Sequence, residues 1–212
     1  MSISKLEADR QAGKNQVNKR RVKILDTAEK LFLEKGLENV TLSEIAAQAG
    51  ITRVSLYRYF ADRDPIAFEI AARMLHEISQ AAGQTEPAIK RLSESDLMLA
   101  MIDHFDELRD AYRYLGMFNH LYGDHYPNET LANWFKEQVY SFIPSRNELK
   151  RPELKEQRAQ VIVLLNTIAS FLEQMANRGE LMASEQSLPV KEQIRIFRNV
   201  IQVYLDHIHL FV

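Results

Sequence analysis

The side chains best suited to molecular recognition lie between positions 52 and 63, in the segment TRVSLYRYFADR. Arginine can donate paired hydrogen bonds to a guanine edge, serine and threonine can donate or accept, and valine can meet a thymine methyl group. Hydroxyl and guanidinium groups nearby can hold the flanking phosphates. This chemistry suits a DNA major groove, and the candidate DNA-binding residues are Thr41, Thr52, Arg53, Val54, Ser55, Tyr57, Arg58, Tyr59 and Arg63.

Two short helices must position these side chains. Thr41 and Glu44 have the spacing of a capping box, and Thr52 is a candidate N-cap for the next helix. Gly50, between the two helices, permits a turn that a Cβ would hinder. Helices of about two turns are not stable alone in water, so both must pack on the preceding helix. The segment therefore predicts a helix-turn-helix.

Packing decides which side chains of the second short helix face outward. If Leu56 and Phe60 are buried, helical geometry turns Arg53, Ser55 and Tyr57 towards solvent. Short helix pairs with polar faces are common, so a plain helical hairpin with a solvated face remains the alternative to a DNA-reading surface at this point. Exposed tyrosines favour the DNA-reading interpretation, because they suit a wall of phosphates better than they suit solubility.

The rest of the sequence offers little for catalysis or metal binding. It contains no HExxH, GxSxG, P-loop or GxGxxG motif, no ExxH pair and no cysteine. The segment DHFDE at 103–107 is the nearest approach to a catalytic cluster, but a solvated acidic face explains it better. His120 and His125 are five residues apart and do not share a helix face. We expect no enzyme, no cofactor and no metal.

Composition and charge agree with a helical DNA-binding protein. Hydrophobic residues make up 46% of the 212 residues, charged residues make up 26%, and glycine and proline are few, which favours an all-α fold. Residues 1–65 hold 12 Lys and Arg against 9 Asp and Glu, whereas the remainder holds 15 against 20. The segment VIVLLNTIASFL at 161–172 is shorter than the ~20 residues that span a bilayer. With no signal peptide, we expect a cytoplasmic protein that does not contact membranes.

Apolar periodicity and turn residues predict about nine helices. The first ends before Gly36, and the fourth begins near Asp64. The predicted helices span about 18–35, 41–49, 52–60, 64–82, 88–109, 110–122, 128–143, 153–178 and 188–211. The predicted domains are a flexible arm at 1–18, a helix-turn-helix domain at 19–66 and a helical domain at 67–212.

The segment ILDTAEKLFLEKGLENVTLSEIAAQAGITRVSLYRYFADRD resembles the DNA-binding domain of the TetR family of bacterial transcriptional regulators. The matching pieces are A..LF...G, T...IA..AG and LY.YF..R, over about residues 20–66. The resemblance implies that residues 52–59 form the recognition helix and that Arg63 takes the place of a basic phosphate contact. The sequence departs from frequent family residues at Arg53, Val54 and Arg58, which leaves the operator sequence open. The basic run 19–21 is either a DNA contact or a solvated helix start.

The resemblance also implies a helical C-terminal domain that dimerises and encloses a pocket for a small-molecule ligand. Polar aromatic residues are dense between 104 and 135, which suits a drug-sized ligand. The candidate ligand-binding residues are Phe118, His120, Tyr122, Trp134, Phe171 and Met175. One apolar stripe on the last helix predicts the dimer interface, with Ile194, Phe197, Ile201, Tyr204, Ile208 and Phe211.

Together these features predict a homodimeric transcriptional regulator, a repressor that a small molecule releases from its double-stranded DNA operator. The alternative is a dimeric helical adaptor that does not bind DNA, for which the surface at residues 52–63 would be inert.

Overall fold

The computed structural model describes residues 3–81, 93–123, 133, 155–178 and 188–207. These residues form helices and turns, and no strand occurs among them, so the all-α prediction is confirmed. The α-helices are α1 (Ile3–Lys35), α2 (Leu42–Ala49), α3 (Arg53–Tyr57), α4 (Arg63–Ala81), α5 (Glu94–Asp103), α6 (Arg109–Tyr122), α7 (Lys155–Arg178) and α8 (Val190–His207). A short 3-10 helix, Leu37–Asn39, joins α1 to α2.

The helix boundaries differ from the predicted ones in three places, and the first is α3, which ends at Tyr57 instead of near residue 60. The sequence predicts a flexible arm over residues 1–18, but α1 begins at Ile3 and runs through this segment. Residues 3–17 are polar yet rich in helix formers, so a helix can extend there without an apolar face. The predicted helix at 88–109 is described only as α5, which a Ser93–Asp96 capping box opens. The predicted helix at 128–143 lies outside the described residues, apart from position 133.

The chain divides into two compact units, Met1–Ile70 and Ala71–Val212. The division falls within α4, slightly beyond the predicted boundary between residues 66 and 67.

The core of the first unit is built from one face of α1 and the inner faces of α2, α3 and the start of α4. Leu56 and Phe60 are buried, as the helix-turn-helix prediction requires. Because α2 and α3 are too short to be stable alone, this burial is what keeps them folded. The remaining buried side chains include Ile24, Leu25, Ala28, Leu31, Phe32, Leu37, Val40, Ile45, Ala46, Ala49, Ile66 and Ile70.

In the second unit α6 packs along α7, and α5 packs against both α7 and α8. The buried hydroxyl of Tyr112 donates to the carbonyl of Met101 over 2.8 Å, which ties α6 to α5. On the outside of the unit, Arg198 of α8 donates to both carboxylate oxygens of Asp103 on α5, over 2.6 and 3.3 Å.

Among the described residues, α7 is the one helix that is both long and apolar enough to resemble a membrane span. By length and composition alone it could cross a membrane, a test that core helices also pass. Its Val161, Ile168 and Leu172 are buried against the chain itself.

Candidate nucleic-acid interface

The first helix of the helix-turn-helix is fixed at both ends. The amide of Glu44 donates to the Thr41 hydroxyl over 3.2 Å, and the amide of Thr41 donates to the Glu44 carboxylate over 2.9 Å, which completes the predicted capping box. The backbone hydrogen bond from Thr41 and the nearby ammonium of Lys35 lower the pKa of Glu44 from 4.5 to about 2. Gly50 ends α2 with φ +69°, a left-handed conformation that favours glycine.

The second helix, α3, starts at the predicted N-cap. The Thr52 hydroxyl accepts from the amide of Ser55 over 3.1 Å. The same hydroxyl lies 3.0 Å from the hydroxyl of Ser55, so these two side chains are partly engaged with each other. With Leu56 fully buried below, α3 is anchored on one side and open on the other.

The open side of α3 carries four exposed side chains, Arg53, Val54, Tyr57 and Arg58, which we call the recognition surface. Val54 is 75% exposed and Tyr57 is 44% exposed. These exposures agree with the outward orientation expected from the burial of Leu56.

Within the recognition surface the Arg53 guanidinium is held by Tyr57. Nη2 and Nε of Arg53 donate to the Tyr57 hydroxyl over 2.9 and 3.2 Å. The guanidinium carbon also lies 5.5 Å from the centre of the Tyr57 ring, within cation–π range. The pair sets the direction of Arg53 before any partner is bound.

Three other predicted DNA-binding residues, Arg63, Ser55 and Tyr59, are less accessible. Nη1 of Arg63 donates to the carbonyls of Leu37 and Glu38 over 3.0 and 3.2 Å, so Arg63 caps the 3-10 helix. Tyr59 is half-buried, as is Ser55, whereas Thr41 and Thr52 are exposed.

Sequence reasoning missed the role of Arg21. Its guanidinium donates to the carbonyl of Tyr59 over 3.1 Å, pairs with the carboxylate of Glu69 and lies 4.2 Å from the centre of the Phe60 ring. Arg21 therefore joins α1 to the end of α3 and to α4. The sequence feature that could have indicated this role is the position of Arg21, three and four residues before the buried Ile24 and Leu25 on the inward face of α1.

The predicted ligand-binding residues that the structure describes all lie in the second unit, on α6 and α7. Phe118, Tyr122, Phe171 and Met175 are buried side chains of the second unit. Phe118 and Tyr122 contact each other with ring centres 4.9 Å apart. His120 lines a cleft of about 490 Å³ between α6 and α7. Trp134 lies outside the described residues.

The predicted dimer stripe is divided between the inside and the outside of the chain. Ile201 is buried, and Phe197 stacks on Phe171 of α7 with ring centres 3.7 Å apart. Ile194 is half-buried and Tyr204 is exposed. Ile208 and Phe211 lie outside the described residues. The exposed apolar side chains of this region are Val163 on α7 and Ile196, Val200, Val203 and Tyr204 on α8.

Comparison with known proteins identifies the family. Residues 24–70 match the model for bacterial regulatory proteins of the tetR family. The chain is 30% identical over 176 residues to the HTH-type transcriptional repressor BepR of Brucella suis biovar 1, covering 81% of this chain and 72% of BepR. The chain belongs to the TetR family. The predicted resemblance is thereby confirmed, and so is the prediction that the chain is not an enzyme, because TetR-family proteins are transcriptional regulators.

Other TetR-family relatives match over different extents. The transcriptional repressor KstR2 of Mycobacterium tuberculosis is 44% identical over 62 residues, which is 29% of this chain and only 30% of KstR2. The crystal structure of a TetR-family transcriptional regulator from Streptomyces coelicolor superposes with a TM-score of 0.60 at 17% identity, covering 88% of this chain and 80% of that one. The structural match supports the TetR fold, and the KstR2 match is confined to a short part of either chain.

Proposed function

We propose that the chain is a homodimeric transcriptional repressor that binds an operator through its recognition surface and is released by a small-molecule ligand. The observation that supports this most directly is the outward display of Arg53, Val54, Tyr57 and Arg58 on a capped helix whose opposite side is buried. Family membership supports the same reading.

Each side chain of the recognition surface has a distinct part in this proposal. Arg53 donates to a guanine edge, and Val54 packs against a thymine methyl group. Tyr57, Arg58 and Thr41 hold phosphates on either side of these bases. Thr52 and the half-buried Tyr59 add further phosphate contacts. Ser55 and Arg63 contribute less, because Ser55 is half-buried and the Arg63 guanidinium already serves two carbonyls.

A homodimer would place two recognition surfaces on successive major grooves, roughly 34–36 Å apart. The exposed apolar side chains on α7 and α8 suit a helix-on-helix interface: Val163 is 64% exposed, and Val200 and Val203 are each 59% exposed. The interface we propose is therefore offset from the predicted stripe, because Phe197 and Ile201 are used within the chain.

Ligand release requires the ligand to bind one state of the dimer more tightly than the other. The boundary between the two units falls inside α4, so this helix is the covalent path by which binding in the second unit could alter the spacing of the recognition surfaces.

The DNA-binding part is tested with duplexes selected from a random pool and with the region upstream of the chain's own gene. We expect the affinity to fall steeply with salt, as phosphate contacts require. Arg53→Ala should cost about 1–3 kcal/mol and relax the preference at one base pair. Lys191→Ala, which removes an exposed charge from α8, is the control and should bind normally. Salt-independent or absent binding would instead favour the adaptor alternative.

The dimer is tested by sedimentation equilibrium of the full chain. Val200→Asp places a charge in the centre of the exposed apolar stripe and should shift the protein to monomer. Asn199→Asp adds the same charge at an exposed neighbour beside the stripe and should leave the dimer intact. Equal effects of the two substitutions would argue against this interface.

A further inference from the structure

The end of the recognition helix is held by a residue of α1. Helix α3 has five residues and ends at Tyr57, with Arg58 as its C-cap. A helix this short does not keep its conformation alone, so the directions of Tyr57 and Arg58 depend on what holds the chain directly after them. Burial of Phe60 is one such contact. The carbonyl of Tyr59 makes another, because it accepts a hydrogen bond from Nη1 of Arg21 over 3.1 Å.

The direction of the Arg21 guanidinium is set in turn by Glu69 of α4. Nε of Arg21 donates to one carboxylate oxygen over 3.2 Å, and Nη2 donates to the other. The guanidinium is a rigid planar fork, so a carboxylate that binds two of its nitrogens also fixes where the third nitrogen points. That third nitrogen points to the Tyr59 carbonyl, and the guanidinium carbon lies 4.2 Å from the centre of the Phe60 ring. Glu69 therefore acts on the end of α3 through Arg21.

The same ion pair separates Arg21 from its basic neighbours. Lys19 and Arg20 are exposed. The side chains of Arg21 and Glu69 are only 36% and 29% exposed, and the charge of Arg21 is matched within the first unit. From the sequence, the run 19–21 is either a DNA contact or a solvated helix start. Neither alternative describes Arg21, because its guanidinium is turned inward.

We propose that Arg21 and Glu69 are positioning residues for operator binding, which fix the orientation of the recognition surface without contacting DNA. The inference rests on the proposed function for its effect on the operator. Removing a carboxylate from a DNA-binding unit ordinarily tightens the binding of a polyanion. A positioning carboxylate has the opposite effect, so the sign of the change in affinity distinguishes positioning from charge.

The sign is tested with Glu69→Gln, which keeps the shape of the side chain, on a duplex selected from a random pool and on an unrelated duplex. Affinity for the selected duplex should fall about fivefold, the equivalent of about 1 kcal/mol for a half-exposed ion pair. Affinity for the unrelated duplex should stay the same or rise. Glu34→Gln removes the same charge from an exposed side chain of α1 and should weaken neither. Unchanged or tighter binding of the selected duplex by Glu69→Gln overturns the inference.

Two substitutions of Arg21 test whether this residue contacts a phosphate instead. Arg21→Lys keeps the charge but loses the fork, so affinity for the selected duplex should fall about fivefold or more. Arg21→Gln should leave the slope of log affinity against log salt unchanged, whereas the loss of a phosphate contact reduces that slope by about 0.9. Adding Glu69→Gln to Arg21→Gln should cost little more, because the partner is already gone. Wild-type affinity in Arg21→Lys, or a reduced slope in Arg21→Gln, would show that Arg21 acts through its charge on DNA.

The positioning role is also measured without DNA, by hydrogen exchange of the full chain. The amides of Tyr59 and Phe60 donate to the carbonyl of Leu56, directly beside the contact with Arg21. They should exchange about fivefold faster in Glu69→Gln than in Glu34→Gln. Equal rates would refute the link between Glu69 and α3. A wild-type chain that binds no duplex refutes the proposed function alone, since the exchange rates still decide whether Glu69 orients the end of α3.

Discussion

Replacing Arg21 by alanine should loosen the end of α3 without removing any side chain from the recognition surface. Arg21 pairs with Glu69, donates to the carbonyl of Tyr59 and lies over the ring of Phe60. The ion pair is half-exposed and contributes about 1 kcal/mol after screening. The carbonyl hydrogen bond adds about 1 kcal/mol, and the cation–π contact adds about 0.5–1 kcal/mol. We expect a total loss of about 2–3 kcal/mol in the first unit.

Hydrogen exchange of single amides is the suitable assay, because the two units need not unfold together. The amides of Tyr59 and Phe60 both donate to the carbonyl of Leu56, directly beside the Arg21 contact. A loss of 2–3 kcal/mol should make them exchange about 30- to 150-fold faster. Arg20→Ala is the matched control, because Arg20 is the exposed neighbour on α1. If the two variants exchange alike, the joining role of Arg21 is refuted.

Two further predictions concern single hydrogen-bonded groups. The pKa of Glu44 is lowered to about 2 in the folded chain, so its contribution to stability is complete above pH 4.5 and is lost as the pH falls from 4.5 towards 2. The protection of the α2 amides from hydrogen exchange should decline across that pH range. Glu44→Gln should make this decline smaller. Tyr112→Phe removes the donor to the buried carbonyl of Met101 and should lower the free energy of unfolding of the second unit by about 1–3 kcal/mol in urea titrations. Tyr204→Phe, at an exposed ring, should have no such effect, and equal losses would contradict the argument.

The helix-turn-helix could be predicted because local rules specify it. Thr41 and Thr52 cap the helices that the sequence assigns to them, and Gly50 takes the left-handed conformation that ends α2. Once Leu56 and Phe60 are buried, helix geometry alone orients their neighbours. These features depend on residues close together in the sequence.

The cleft and the exposed apolar stripe could not be predicted in the same way. The stripe on α8 is apolar on more than one side, and only the stacking of Phe197 on Phe171 reveals which side packs inside the chain. Likewise, nothing in the sequence places Glu173 against Gly116, because that contact depends on how closely α6 approaches α7. Both features depend on tertiary distances that periodicity does not encode.

The hydrogen bonds between Arg53 and Tyr57 imply that, under the proposed function, these two residues would not act on DNA independently. The Tyr57 hydroxyl accepts from Arg53 and can donate its own O–H to a phosphate at the same time, so an Arg53 that moves to a base changes the hydrogen bonding of the group that would hold the phosphate. The energetic effects of Arg53→Ala and Tyr57→Phe should consequently fail to add. A changed base pair would then also weaken the contacts to the DNA backbone. The sequence selectivity of operator binding and its overall affinity would therefore change together.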